Sequence, residues 1–185
     1  MFIATERTPN PATLKFLPGQ AVMDQGTQNF ADVEAAAISP LASALFELEG
    51  VSGVFFGADF ISVTQEGEDW ARLKPMVLGL IMDHFTSKVP LFHPHAQPAK
   101  EAESPVSEDD EPIIAQIKEL LDAKVRPAVA QDGGDIVFHG FEEGIVYLHM
   151  QGACAGCPSS TMTLKSGIEN LLRYYVPEVT EVRAV

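Results

Sequence analysis

Ile113, Ile114, Ile117, Leu120, Leu121 and Val125 recur at intervals of three and four, the period of a helix with one buried face. The spacing predicts a helix that opens at Pro112 and ends at Arg126-Pro127, because proline lacks the N–H that continues the ladder. Two strand-like runs follow, 136–141 and 145–150, joined by Glu142-Glu143-Gly144 in the pattern of a hairpin. Pro158 starts a second helix carrying Met162, Leu164, Ile168, Leu171, Leu172 and Tyr175, and 179–185 reads as a last short strand.

The earlier part of the chain has its own pattern. Residues 2–6 and 13–17 alternate like strands around a turn at Pro9-Asn10-Pro11. Ser39-Pro40 is a helix start, an N-cap followed by proline at the first helical position, and Leu41, Leu45 and Leu48 follow at helical spacing. Runs 51–56 and 60–64 predict two strands through Gly57-Ala58-Asp59. A helix is predicted over 73–85, with Leu73, Val77, Leu80, Ile81 and His84 on one face and Pro75 in its first turn.

Between these two sets, 93–112 has almost nothing to bury. It is rich in Pro, Ala and Glu, and such a segment cannot offset its ordering entropy by apolar burial. Nine of the eleven phenylalanines lie at or before Phe92, which points to two separately built cores. The expected fold is α+β: two small α+β domains, 1–92 and 113–185, joined by an acidic linker at 93–112.

The chain has 185 residues and a formal net charge of −14, distributed as −6 in 1–92, −5 in 93–112 and −3 in 113–185. Affinity for phosphate backbones comes mainly from Lys and Arg, and 12 of these against 26 acids argue against a nucleic-acid partner. No apolar run approaches the ~18 residues of a membrane span, so no membrane association is expected. The opening MFIATERTPNPA resembles neither a secretory signal nor an Arg-rich transit peptide, and on that basis a bacterial-type cytoplasm is expected.

Reactive chemistry is dense in one place, Cys154-Ala155-Gly156-Cys157-Pro158. With Pro158 as the first helical residue, Cys157 becomes the N-cap, where the free N–H groups and the helix dipole favour a thiolate. Gly152, Ala153, Ala155 and Gly156 keep side chains clear of the sulfur atoms, and Ser159 and Ser160 are placed to donate to negative charge. A zinc site or a cubane cluster takes four protein ligands, and the chain has two thiols. Three completions fit that count. Histidines could supply the remainder, although His139 and His149 lack zinc-pair spacing, His93 and His95 lie in the linker, and His84 sits on a core-facing helix. Two chains could each supply one C-x-x-C across a two-fold axis, the arrangement that fits best physically. Without metal, the pair could cycle as a dithiol oxidoreductase, although Ala153 precedes it and Trp70, the single tryptophan, is in the other half. A zinc-stabilised interaction module is a further alternative.

Residues 113–185 resemble the C-terminal domain of NifU-like (Nfu-type) iron–sulfur cluster scaffold and carrier proteins. The likeness rests on the run Arg126-Pro-Ala-Val-Ala-Gln-Asp-Gly-Gly-Asp135 and on Gly152-Ala-Cys-Ala-Gly-Cys-Pro-Ser-Ser-Thr161. Residues 1–92 resemble the N-terminal domain that accompanies it, through Thr8-Pro-Asn-Pro-Ala-Thr-Leu-Lys-Phe16, Glu49-Gly-Val-Ser-Gly-Val-Phe-Phe56 and Trp70-Ala-Arg-Leu-Lys-Pro75. The resemblance implies that Cys154 and Cys157 are cofactor ligands of a [4Fe-4S] cluster bridging two chains. It implies a homodimer through the cluster, cluster donor proteins and apoprotein clients as partners, and carriage rather than enzymatic turnover. The Asp132-Gly133-Gly134-Asp135 segment reads either as a turn needing positive φ at a glycine or as part of the cluster seam.

Overall fold

The structure is a computed structural model in which residues 1–67, 69–96, 110–155 and 158–185 are described, the side chains of 158–160 excepted. The chain divides into two compact units, 1–99 and 100–185. Both are α+β. Most of the expected linker, 97–109, lies outside the described residues. Its first residues are tied to the first unit, where the His93 N–H donates to the Ile38 carbonyl at 2.9 Å.

The first unit is built on a five-stranded antiparallel sheet. Its strands are β1 (Ala4–Arg7), β2 (Thr13–Leu17), β3 (Gln28–Phe30), β4 (Val51–Phe56) and β5 (Ile61–Gln65), in the order β1-β2-β5-β4-β3. Helices α1 (Val33–Ala36), α2 (Pro40–Phe46) and α3 (Trp70–Thr86) accompany it. Phe16, Phe30, Phe56, Leu41, Leu45, Ile61, Val77 and Ile81 form the core, with Phe30 and Phe56 packed edge to face at 4.9 Å. Ser39 caps α2 as the sequence predicts, its hydroxyl accepting the Ala42 N–H at 3.2 Å. Helix α3 begins three residues before its predicted start, with Asp69 as N-cap accepting the Arg72 N–H at 3.2 Å. Pro75 therefore lies in the second turn, not the first. Ala71, which loses its ladder partner to that proline, is on the exposed side of the helix, where water can serve its carbonyl.

The second unit has a three-stranded sheet, β6 (Gly134–Glu142), β7 (Ile145–Gly152) and β8 (Glu181–Ala184), in that order. Strands β6 and β7 form the predicted hairpin, while β8 joins β7 in parallel. The hairpin turn places Glu143 at φ 49° and Gly144 at φ 80°, the left-handed pair that suits a tight connection. The core comprises Ile117, Leu121, Ile136, Val146, Leu148, Leu172, Val176 and Val182.

The first helix of this unit does not end at Arg126-Pro127. Helix α4 (Glu111–Leu120) passes through one π-helical turn (Leu121–Val125) into α5 (Arg126–Gln131). The Arg126 N–H bonds to Leu121 O five residues back, and this wider turn admits the ring of Pro127. The extra residue rotates everything after it by about 100° around the helix axis. Arg126 is thereby brought to Asp135.

Candidate functional site

The C-x-x-C loop grows from the open end of the β6–β7 hairpin, where Gly134 pairs with Gly152. Gly133, at φ 80°, makes the turn from α5 into β6 and accepts the Ala153 N–H at 3.1 Å. Gly152, at φ 61°, turns the chain out of β7, and the Cys154 N–H closes back onto Gln151 O at 3.3 Å. Both glycine conformations are ones that side chains rarely adopt.

This folding brings Cys154 down onto Gly134. A Cβ at Gly134 would lie 2.5 Å from Cys154 Sγ and 2.9 Å from Cys154 N. Cys154 is a free thiol, only 6% exposed and part of the hydrophobic cluster of its unit. Burial, with Asp132 and Asp135 adding negative potential, pushes the thiol up to about 12. The helix-end setting that favours a thiolate was read from the sequence for Cys157, and Cys154 has different surroundings. The strand pairing that fixes the loop also seats its first sulfur in apolar surroundings. Cys157 and the capping roles assigned to Cys157, Ser159 and Ser160 lie outside what is described.

Arg126 and Thr161 also hold the loop, and neither was assigned a role from the sequence. Arg126 grips the buried Asp135 through two hydrogen bonds, Nε to Oδ1 at 2.8 Å and Nη2 to Oδ2 at 2.7 Å. Its remaining arm reaches Asp122 at 2.9 Å, and these carboxylates raise the guanidinium pKa further. Asp135 Oδ1 also accepts the Ile136 N–H at 2.8 Å, fixing the start of β6 beside Gly134. On the other side, the Thr161 hydroxyl donates to the Cys154 carbonyl at 3.2 Å, joining the loop to helix α6 (Pro158–Tyr175). The usable signal was the pair of acids flanking two glycines in 132–135, with an Arg one helix earlier.

The histidines do not gather at the site. His84 is buried in the last turn of α3 against Phe85, and burial lowers its pKa. His139 sits at a β-bulge and His149 faces Val137 across the hairpin. Among the described residues no group of three His, Cys, Asp or Glu side chains is placed to hold a metal ion.

Residues 117–183 match the model of the NifU-like domain, and residues 3–88 match that of the scaffold protein Nfu/NifU N terminal. The mitochondrial NFU1 iron-sulfur cluster scaffold homolog of Homo sapiens is 52% identical over 187 residues, covering 100% of this chain and 72% of the human protein. The chain belongs to the Nfu family of iron–sulfur cluster scaffold proteins. Another Nfu relative, the mitochondrial NFU1 homolog of Drosophila erecta, is also 52% identical, and the chain spans 65% of its length. A NifU-like protein of Saccharomyces cerevisiae, solved by NMR, is 24% identical over 50% of this chain and 84% of that one, with a TM-score of 0.43.

The names of these Nfu relatives point to the mitochondrion and overturn the expectation of a bacterial-type cytoplasm. That expectation weighed only the composition of the first dozen residues, and an address is not a property of the folded units. No helix among the described residues is long and apolar enough to cross a membrane.

Proposed function

We propose that two copies of this Nfu chain hold one [4Fe-4S] cluster between their C-x-x-C loops, each supplying Cys154 and Cys157. The cluster is cargo, received from a donor protein and passed to apoprotein clients, so the protein acts as a carrier and not as an enzyme. The observation that carries the reading is the loop itself. It holds both thiols of the chain, and four thiolates need two such loops. Membership of a scaffold family supports the cargo.

The resting position of Cys154 suits a site that is loaded and emptied. A thiol kept neutral against Gly134 is protected until iron, by its own charge, displaces the proton. The competing dithiol oxidoreductase needs the opposite, a first cysteine of lowered pKa and open access. Loading then draws Cys154 out of its apolar seat, against the hydrogen bonds of 152–155 and the bond from the Thr161 hydroxyl to the Cys154 carbonyl.

Single Cys154→Ser and Cys157→Ser substitutions test the ligand set. Each is expected to remain folded and to lose stable iron after anaerobic reconstitution with iron and sulfide. A variant that retains full iron and sulfide overturns four-thiolate ligation.

A further inference from the structure

The first unit contains no cysteine, yet it carries a cleft of ≈ 420 Å³ where the turn after α2 meets the start of α3. Leu48 and Leu73 give it an apolar floor, and Glu47, Glu49, Glu66 and Asp69 stand around it. Among the described residues that line it, Arg72 is the single cation, and its guanidinium is turned to Glu49 at 3.4 Å. The wall is therefore strongly acidic.

A second feature gives the cleft its chemistry. Gln65, at the end of β5, lines the cleft at 6% exposure, and its Nε2 has no hydrogen-bond partner. Among the described residues no other buried side-chain nitrogen or oxygen is left unpaired. Buried donors are almost always matched, so this one calls for an acceptor from outside the chain. The acceptor must arrive on something that tolerates carboxylates on every side. A bare metal ion does not fit, because an amide N–H repels cations and no metal-holding group of side chains is present among the described residues. A phosphate or an acidic peptide brings acceptors but is repelled by the wall. A peptide carbonyl flanked by a basic side chain meets both requirements, and a cleft of this size takes one long side chain with its peptide unit.

We propose that this cleft docks a cationic segment of a partner protein, its backbone carbonyl accepting from Gln65 Nε2 and an adjacent Lys or Arg lying among the Glu47, Glu66 and Asp69 carboxylates. The inference goes beyond cluster carriage and needs no metal.

The test is an NMR titration of the full, metal-free, ¹⁵N-labelled chain with the peptide acetyl-Leu-Arg-Gly-Arg-amide. The Gln65 side-chain amide and the backbone amides around Glu47, Glu66 and Arg72 are expected to shift. Gln65→Met should weaken the peptide about three- to tenfold, the worth of one neutral hydrogen bond. Glu66→Gln, at an exposed position that folding tolerates, should weaken it roughly threefold and reduce its salt dependence. Spermidine, which has charge but no carbonyl, should be indifferent to Gln65→Met, and the Glu-for-Arg version of the peptide should not bind. The proposal is overturned if the Arg peptide does not bind, if its shifts fall on the acidic run 108–111 instead, or if both variants bind it like the parent. A negative result leaves cluster binding untouched, because no iron is present in the experiment.

Discussion

Cys154 Sγ rests against Gly134, at a place where a Cβ on that glycine would stand 2.5 Å away. The same Cβ would press on Gln151 O at 2.8 Å, which is backbone and cannot swing aside. Gly134→Ala must therefore lift the loop off the hairpin. The expected cost is about 1–3 kcal/mol of stability in the second unit, the usual penalty of overpacking. Iron content after reconstitution should fall with it. Urea unfolding followed by tyrosine emission reads the stability, because all three tyrosines, Tyr147, Tyr174 and Tyr175, belong to this unit. An unchanged midpoint would mean that the loop does not rest on Gly134.

The Arg126–Asp135 pair supports the loop from below. Asp135→Asn keeps the shape but removes the negative charge and one of the two acceptors that Arg126 meets there, leaving its charge to the exposed Asp122. The Arg126 side chain is 34% exposed, so the loss should fall below the ~3–5 kcal/mol of a fully buried pair, at roughly 2 kcal/mol. Arg126→Lys should cost nearly as much, because an ammonium cannot make the two-pronged contact. Equal stability of both variants with the parent, by the same unfolding measurement, would contradict the role given to the π-helical turn.

His84 makes the first unit sensitive to mild acid. Its pKa in the folded chain lies below the ordinary 6.5 because burial disfavours the imidazolium. Above pH ~6.5 the ring is neutral in both states and nothing is lost. As the pH falls below that value the unfolded chain takes up the proton first, and stability declines until the folded-state pKa is passed. Trp70, the single tryptophan, reports this unit alone. Unfolding followed by its fluorescence should show lower stability at pH 5 than at pH 7.5, and His84→Gln should flatten the difference. A parent protein equally stable at both values would place His84 in solvent.

Apo Cys154 should resist alkylation. In a Cys157→Ser chain, iodoacetamide should modify the native protein at least ~100-fold more slowly than the urea-unfolded one, because the sulfur is both buried and protonated. Similar rates in the two states would mean that the loop stands open.

Much of the architecture was readable from periodicity and turn chemistry. The β6–β7 hairpin and the start of α6 at Pro158 needed only alternation, a turn glycine and a proline at the first helical position. Strand β3 and helix α1 were not legible, because three and four residues do not establish a period. The continuation of α4 past Pro127 was hidden for a different reason. Proline ends an ordinary α-helix, and the π-helical turn that admits it depends on packing around Leu121 and Val125, both buried. At the site, the cysteines were visible by chemistry alone. The burial of Cys154 was not, since it follows from a glycine twenty residues upstream in another strand.

One cluster shared by two chains is tested most directly by combining composition with mass. After anaerobic reconstitution, iron and acid-labile sulfide are counted per chain and the solution mass is taken on the same sample. Two irons and two sulfides per chain in a brown dimer are predicted, one four-iron cluster held by two C-x-x-C loops. A brown monomer with four irons per chain, or a colourless monomer with a titratable dithiol, would contradict it.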